Sequence, residues 1–258
     1  MGSELDLGGR IAIVTGALGR LGPVWTQALA AAGATVVGVD VQSGAEPPGA
    51  ERLERADVTD RAALESVRER VERSLGAPSV LVNNAGIDSP PAAEGRTYAV
   101  EDMPLPDFRR TVEVNLTGTF NATQVFGAGM RDRGCGSIVN IGSLYATIAP
   151  EPAFYEHLGV DPPFLKAPAY GASKAAVVNL TRYFARLWGP HGVRVNALSP
   201  GGLLGGQDPT FLSAYCARVP LRRMAEPADL TGPLIFLASD ASRYVTGHEL
   251  RADGGFTA

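Results

Sequence analysis

The stretch IAIVTGALGRLG (11–22) decides the fold. IAIVT (11–15) is a short apolar run with β-branched residues, the kind that forms a strand buried on both faces. Gly16, Gly19 and Gly22 follow, and over 20–32 Leu21, Trp25, Leu29 and Ala32 recur at helical spacing. Glycines where a first strand turns into a helix let the backbone approach a pyrophosphate, whose charge the helix N-terminus stabilises. Gly33 ends the helix, and ATVVGVD (34–40) reads as a second strand closing on Asp40. A carboxylate there can accept hydrogen bonds from adenosine ribose hydroxyls and would repel a 2′-phosphate. Val41 beside it adds no positive charge, which favours NAD over NADP. Arg20, inside the turn, is the group that could reach a phosphate and weaken that preference.

Outward from this turn, apolar runs alternate with helical patterns in the manner of βαβ units. ADVTD (56–60) is expected to supply a third strand end and the N-cap of a helix over 61–75, and VLVNNAG (80–86) a fourth strand. After a Pro-rich loop through Pro106 come a long helix near 107–132, the strand GSIVNIGS (136–143), a helix from about 169 to 189 and the strand VRVNALSP (193–200). Helices at 208–217 and 227–238 and a closing strand HELRADGG (248–255) complete the series. No repeat or linker divides the chain. The expected architecture is α/β, a doubly wound parallel sheet of the Rossmann kind, in one domain spanning 1–258.

Composition narrows the function. In 258 residues, 23 Lys plus Arg stand against 27 Asp plus Glu, with no basic stripe to neutralise a row of phosphates, so nucleic acid is not expected as a partner. The start has no basic segment leading into an apolar run, and no apolar stretch reaches about 18 residues, so a cytoplasmic protein without a membrane span is expected. Cys135 and Cys216 are too few and too far apart for a disulfide framework, and His157, His191 and His248 lack ligand spacing, so no metal site is expected.

YGASK (170–174) places Tyr170 and Lys174 at i and i+4 on one helix face. A tyrosine near its reference pKa of about 10 is a poor base at neutral pH, and a nearby ammonium stabilises its phenolate. TGALGRLG (15–22), NNAG (83–86), Asn115 in VEVNLTG, Ser143 in NIGS, Tyr170 with Lys174, SPGG (199–202) and DGGFTA (253–258) follow one another in the order seen in short-chain dehydrogenases/reductases, and the chain resembles the short single-domain branch of that family over nearly its whole length. The resemblance implies an oxidoreductase moving hydride between nicotinamide and a carbinol or carbonyl carbon. It makes Tyr170 the general acid/base and Ser143 a hydrogen-bond partner of the reacting oxygen. Lys174 would hold nicotinamide ribose hydroxyls and lower the Tyr170 pKa, and Asn115 would hold a water for proton relay. Along the cofactor it places Gly16, Gly19, Arg20, Leu21 and Gly22 at the phosphates, Asp40 and Val41 at the ribose, Asp57 and Val58 at the adenine, Asn84, Ala85 and Gly86 after strand four, and Pro200, Gly201, Gly202 and Leu203 at the carboxamide end. Asp57 also stands where a helix N-cap is expected.

The chain departs from the family pattern in three places. The second motif glycine usually falls where this sequence has Arg20, and the spacing Gly16, Gly19, Gly22 is similar to that of sugar-nucleotide epimerases, which keeps an epimerase using bound NAD as an alternative. A non-catalytic nucleotide-binding subunit is the other. After SPGG, Gly205 stands where the family often has threonine. Between Ser143 and Tyr170 the chain inserts 144–169, rich in Pro, aromatics and charge, and loops of this sort carry binding groups. Tyr145, Tyr155 and His157, with Ser143, are therefore expected to line a pocket for an alcohol or ketone substrate, polyhydroxylated or sugar-like, with Asp88 and segment 87–106 as the opposite wall. Gly118, Ala122, Ala175, Ala176 and Val177 would permit close helix packing, and the resemblance implies a homodimer or homotetramer.

Overall fold

The computed structural model describes residues 4–88 and 98–258. Residues 89–97 of the segment 87–106 that was expected to wall the pocket therefore lie outside the described residues, though Asp88 is within them. In chain order the elements are β1 (Ile11–Thr15), α1 (Gly22–Ala31), β2 (Thr35–Asp40), β3 (Ala50–Arg55), α2 (Arg61–Ser74), β4 (Val80–Asn83), α3 (Leu105–Val112), α4 (Gly118–Arg133), β5 (Gly136–Ile141), α5 (Pro168–Trp188), β6 (Val193–Pro200), α6 (Pro209–Arg218), α7 (Pro227–Ala238) and β7 (Glu249–Ala252).

The strands form one parallel sheet in the order β3-β2-β1-β4-β5-β6-β7. Strand order reverses where β4 lies against β1, so the carboxyl ends of these two strands open a crevice at the switch point, the place where such sheets bind ligands. Alternate residues of each strand face opposite layers. Ile13, Val37, Leu81, Ile138 and Val195 pack under α2, α4 and α5 with Leu64, Phe126, Phe184 and Trp188. Ala12, Val14, Val36, Val80 and Val82 pack under α1 and α7 with Trp25, Leu29, Leu230, Leu234 and Leu237. Trp25 is fully buried, and a side chain of this size is worth about 3–5 kcal/mol against alanine at such a position.

Two elements differ from expectation. The third strand is AERLER (50–55), one step earlier than ADVTD, which follows it as the turn into α2. It is an edge strand whose charged side chains interact at the surface, Arg52 and Arg70 both pairing with Glu54, so no apolar alternation marks it. The expected long helix is present as α3 and α4, joined without a break by a π-helical turn at Glu113–Thr117. Such turns cluster at functional sites, and this one carries Asn115.

Candidate active site

A cleft of about 1300 Å³ runs along the carboxyl edge of the sheet, from Asp40 and Val41 at one end to Tyr155 and His157 at the other. Gly16, Gly19, Arg20, Leu21, Asp57, Val58, Asn84, Ala85, Gly86, Pro200, Gly201, Gly202 and Leu203 line it between. Gly16 has φ of 64°, and an added Cβ would stand 2.7 Å from Ala85 Cα, so both the backbone conformation and the close passage of the two turns require glycine. The turns are bolted together: Thr15 Oγ1 accepts the Asn84 and Ala85 N–H groups at 3.1 Å, and Asn84 Nδ2 donates to the Gly16 carbonyl at 2.9 Å. Trp25 Nε1 donates to Asn84 Oδ1 at 2.8 Å. The Asn84 side chain thus holds the cradle's shape from beneath. Gly22 does not line the cleft. It lies under the turn, where a Cβ would come 2.3 Å from the Ala17 carbonyl oxygen, so its part is to let α1 start close to the strand.

Asp40 ends β2 largely buried, its two oxygens accepting from the Leu18 and Gln42 N–H groups at 2.9 and 3.0 Å. That fixes the carboxylate at the cleft wall, with Val41 exposed beside it. Asp57 is not the helix cap: Asp60 caps α2 by accepting from the Ala63 N–H, while Asp57 accepts from the Thr59 N–H and hydroxyl. Arg20 points away from β2. Its Nη2 donates to the Leu203 carbonyl at 2.8 Å, across the cleft beyond β6, and an added Cβ on Gly205 would fall 2.2 Å from that same nitrogen. The two departures from the family pattern, Arg20 and Gly205, are therefore in contact, the guanidinium filling the space a side chain at 205 would take.

At the centre of the cleft α5 presents Tyr170 and Lys174. Pro168 in its first turn fixes the start of the helix, so Tyr170 lies beside the end of β5 and Lys174 one turn deeper. Ser143, just past β5, is 6% exposed and acts on the Tyr170 phenol, while its Oγ accepts from the Tyr145 N–H at 3.2 Å. Lys174 Nζ donates to the Ile141 carbonyl at 2.7 Å and sits 5.8 Å from the Tyr170 ring centroid. Burial pushes the Tyr170 phenol up to about 12, Asp88 adding to the rise and the Ser143 hydrogen bond opposing it. Burial pushes Lys174 down to about 8, Asp88 opposing. The phenol is thus a neutral acid at pH 7, and the ammonium beside it is the charge that favours the phenolate.

Asn115 stands behind this group, fully buried and outside the cleft lining. Its Nδ2 donates to the Ile87 carbonyl at 3.1 Å and to Ser173 Oγ at 3.0 Å, and its Oδ1 accepts the Ile87 N–H at 2.8 Å. Both amide hydrogens are spent on protein partners. The side chain braces the chain after β4 against α5.

The inserted segment folds over the far end of the cleft. Leu144, Phe154, Tyr155, Phe164, Tyr215, Val219 and Met224 form their own apolar cluster, which seats Tyr145, Tyr155 and His157 on the cleft wall. The Tyr145 and Tyr155 phenols interact with each other, and the Tyr145 ring meets the Tyr170 ring edge-to-face at 6.5 Å. His157 Nε2 lies 3.4 Å from Asp208 Oδ1. Two residues of this wall carry no signal in the sequence. Tyr215, from α6, accepts the Gly202 N–H at 2.7 Å and so fixes the SPGG turn. Lys166 lies with its ammonium 5.7 and 5.8 Å from the Tyr170 and Tyr145 ring centroids, paired with Asp88 at 2.6 Å. Among the described residues no cluster of side chains could hold a metal ion.

The chain's likeness to known proteins covers this whole arrangement. A family model described as enoyl-(acyl carrier protein) reductase matches residues 16–257. The galactitol 2-dehydrogenase (L-tagatose-forming) of Cereibacter sphaeroides is 36% identical, over 97% of this chain and 96% of that protein. A short-chain dehydrogenase from Leptospira borgpetersenii, solved with bound NAD+, superimposes with a TM-score of 0.88 at 30% identity, over 100% of this chain and 96% of that one. A gluconate 5-dehydrogenase from Burkholderia cenocepacia, solved with NADP and tartrate, gives 0.83 at 30% identity over 98% and 97%. With the motifs, the sheet order and these full-length matches in agreement, the chain belongs to the short-chain dehydrogenase/reductase family.

Proposed function

We propose that this protein is an oxidoreductase that moves hydride between a nicotinamide dinucleotide, NAD in preference to NADP, and the carbinol carbon of a polyhydroxylated secondary alcohol. The observation that carries the reading is the Ser143–Tyr170 hydroxyl pair, set together at the centre of the cleft with Lys174 behind it. A bound nicotinamide supplies the hydride acceptor. Tyr170 takes the proton from the substrate hydroxyl in oxidation and returns it in reduction. Ser143 holds the reacting oxygen, where preorganised donors stabilise developing alkoxide charge. Lys174 holds the nicotinamide ribose hydroxyls and keeps a positive charge beside the phenol. Asn115 acts through position, fixing Ile87 and Ser173.

Residues along the cleft fit a dinucleotide: a glycine-rich turn at the start of α1 for the diphosphate, and the Asp40 carboxylate for ribose hydroxyls. NAD is favoured because Asp40 repels a 2′-phosphate and the Arg20 guanidinium is turned to Leu203. The named activity of the C. sphaeroides relative supports a polyol as substrate. An epimerase reading is less well supported, since these relatives bear dehydrogenase names across the full length. A screen of polyols and their ketones with each cofactor, followed by NADH absorbance, tests the reading. Net NADH formation with NAD and much slower turnover with NADP is expected; equal rates with NADP would overturn the role given to Asp40.

We place the protein in the cytoplasm, a setting that suits its free thiols, Cys135 and Cys216; no helix among the described residues is long and apolar enough to cross a membrane. An assembly of copies through α4 and α5 is supported by Phe120, Tyr183 and Leu187, large apolar side chains left 36, 60 and 50% exposed. Of the small residues expected there, Ala122 and Val177 are buried in the chain's own core, and Gly118 packs on Val58. A monomer mass by light scattering would refute the assembly.

A further inference from the structure

The charged groups on the loop wall say which alcohols the cleft can take. Lys166 comes from the inserted segment and Asp88 from the chain after β4, and they meet beside the catalytic tyrosine with Nζ 2.6 Å from Oδ2. The Lys166 side chain is 9% exposed and that of Asp88 33%, so the pair lies at the cleft surface without being freely solvated. The ammonium stands over both Tyr145 and Tyr170, 5.8 and 5.7 Å from their ring centroids. A substrate whose reacting oxygen rests on Ser143 and Tyr170 must therefore run its next carbons past this pair. The field of Asp88 reaches the same spot, since its charge raises the phenols of Tyr145, Tyr155 and Tyr170 alike.

Such a wall offers a donor and an acceptor side by side and no surplus of positive charge. Further along, His157 Nε2 lies 3.4 Å from the Asp208 carboxylate. An uncharged chain of neighbouring hydroxyls meets it well: one hydroxyl accepts from Lys166 while the next donates to Asp88. A carboxylate in the same place would have to displace Asp88 from Lys166 or lie against it, and like charges at such range are strongly unfavourable. Aromatic faces of Tyr145 and Tyr155 complete a surface for the C–H side of a polyol.

We infer that the Lys166–Asp88 pair selects substrate, making the preferred substrates neutral polyols and excluding sugar acids of the same length. This rests on the hydride-transfer reading above and narrows it. The test measures kcat and KM for neutral four- to six-carbon polyols and for the corresponding aldonates, with NAD, in the wild type and in Asp88→Asn and Lys166→Met, with NADH affinity as the check that the cleft is intact. The wild type should prefer polyols by about tenfold or more in kcat/KM. Asp88→Asn should shift the ratio towards aldonates by about as much, mainly through KM, because it leaves Lys166 with uncompensated charge. Lys166→Met should weaken polyols through KM and leave aldonates poor. A pair that merely straps the loop down would, when cut, weaken both classes equally, and an unchanged ratio in Asp88→Asn would overturn the inference. Preference of the wild type for aldonates would overturn it too while leaving hydride transfer standing; absence of turnover on both classes, with NADH still bound, would sink both readings.

Discussion

Replacing Tyr170 with phenylalanine will lower kcat by about 10²–10⁴-fold, the usual range for loss of a positioned acid or base, and leave NADH affinity nearly unchanged. The substitution keeps the ring that packs edge-to-face on Tyr145 and removes only the phenol oxygen, on which Ser143 acts. Rates then separate the chemical step from binding, because a group used only in the transition state lowers kcat without loosening the cofactor. The pH profile carries the same signature. Burial holds the phenol protonated at neutral pH, so alcohol oxidation, which needs the deprotonated form, should rise with pH through the neutral range, while ketone reduction, which needs the protonated form, should stay flat there and fall only towards a pH of about 12. The slope in oxidation should vanish in whatever activity Tyr170→Phe retains. Steady-state kinetics with NADH fluorescence titration settle it; a variant with full activity would mean that Tyr170 moves no proton.

Lys174→Ala is expected to damage binding and chemistry together. The ammonium donates to the Ile141 carbonyl, and its Nζ lies 3.5 Å from where a Cβ on Gly86 would stand, so it is placed at the cofactor's side of the tyrosine. Hydrogen bonds made by a charged group contribute about 1.5–3 kcal/mol, which is about 10–100-fold in the Kd for NADH. The loss of positive charge beside the phenol should also reduce kcat by about 10²-fold or more. Removal also leaves the buried Ile141 carbonyl without this donor, at a cost to stability of about 1–3 kcal/mol, so thermal unfolding belongs beside the titration. Unaltered NADH affinity would contradict the ribose-holding role.

The main elements of the fold were legible because their signals are local. IAIVT and VRVNALSP are apolar runs bounded by turn residues, and they form β1 and β6 with the expected limits. AERLER was not, because an edge strand that pairs its charges at the surface has no apolar period to read. The π-helical turn around Asn115 was invisible for a related reason, since it changes hydrogen bonding without changing the periodicity enough to be seen. In the site, Ser143, Tyr170 and Lys174 could be picked out by motif, and the structure brings them into one cleft. Lys166 could not: what distinguishes it from any loop lysine is Asp88, 78 residues away in sequence. Arg20 and Gly205 were each visible as departures, but their meeting depends on how β1 and β6 lie in the sheet.

The most direct test of hydride transfer uses a neutral polyol carrying deuterium at its reacting carbon, incubated with NAD and followed by mass spectrometry of both products. Ketone and reduced cofactor should form in equal amounts, with the deuterium on the nicotinamide and none released to water. Reduced cofactor without the label, or an inverted alcohol with no net NADH, would contradict the account.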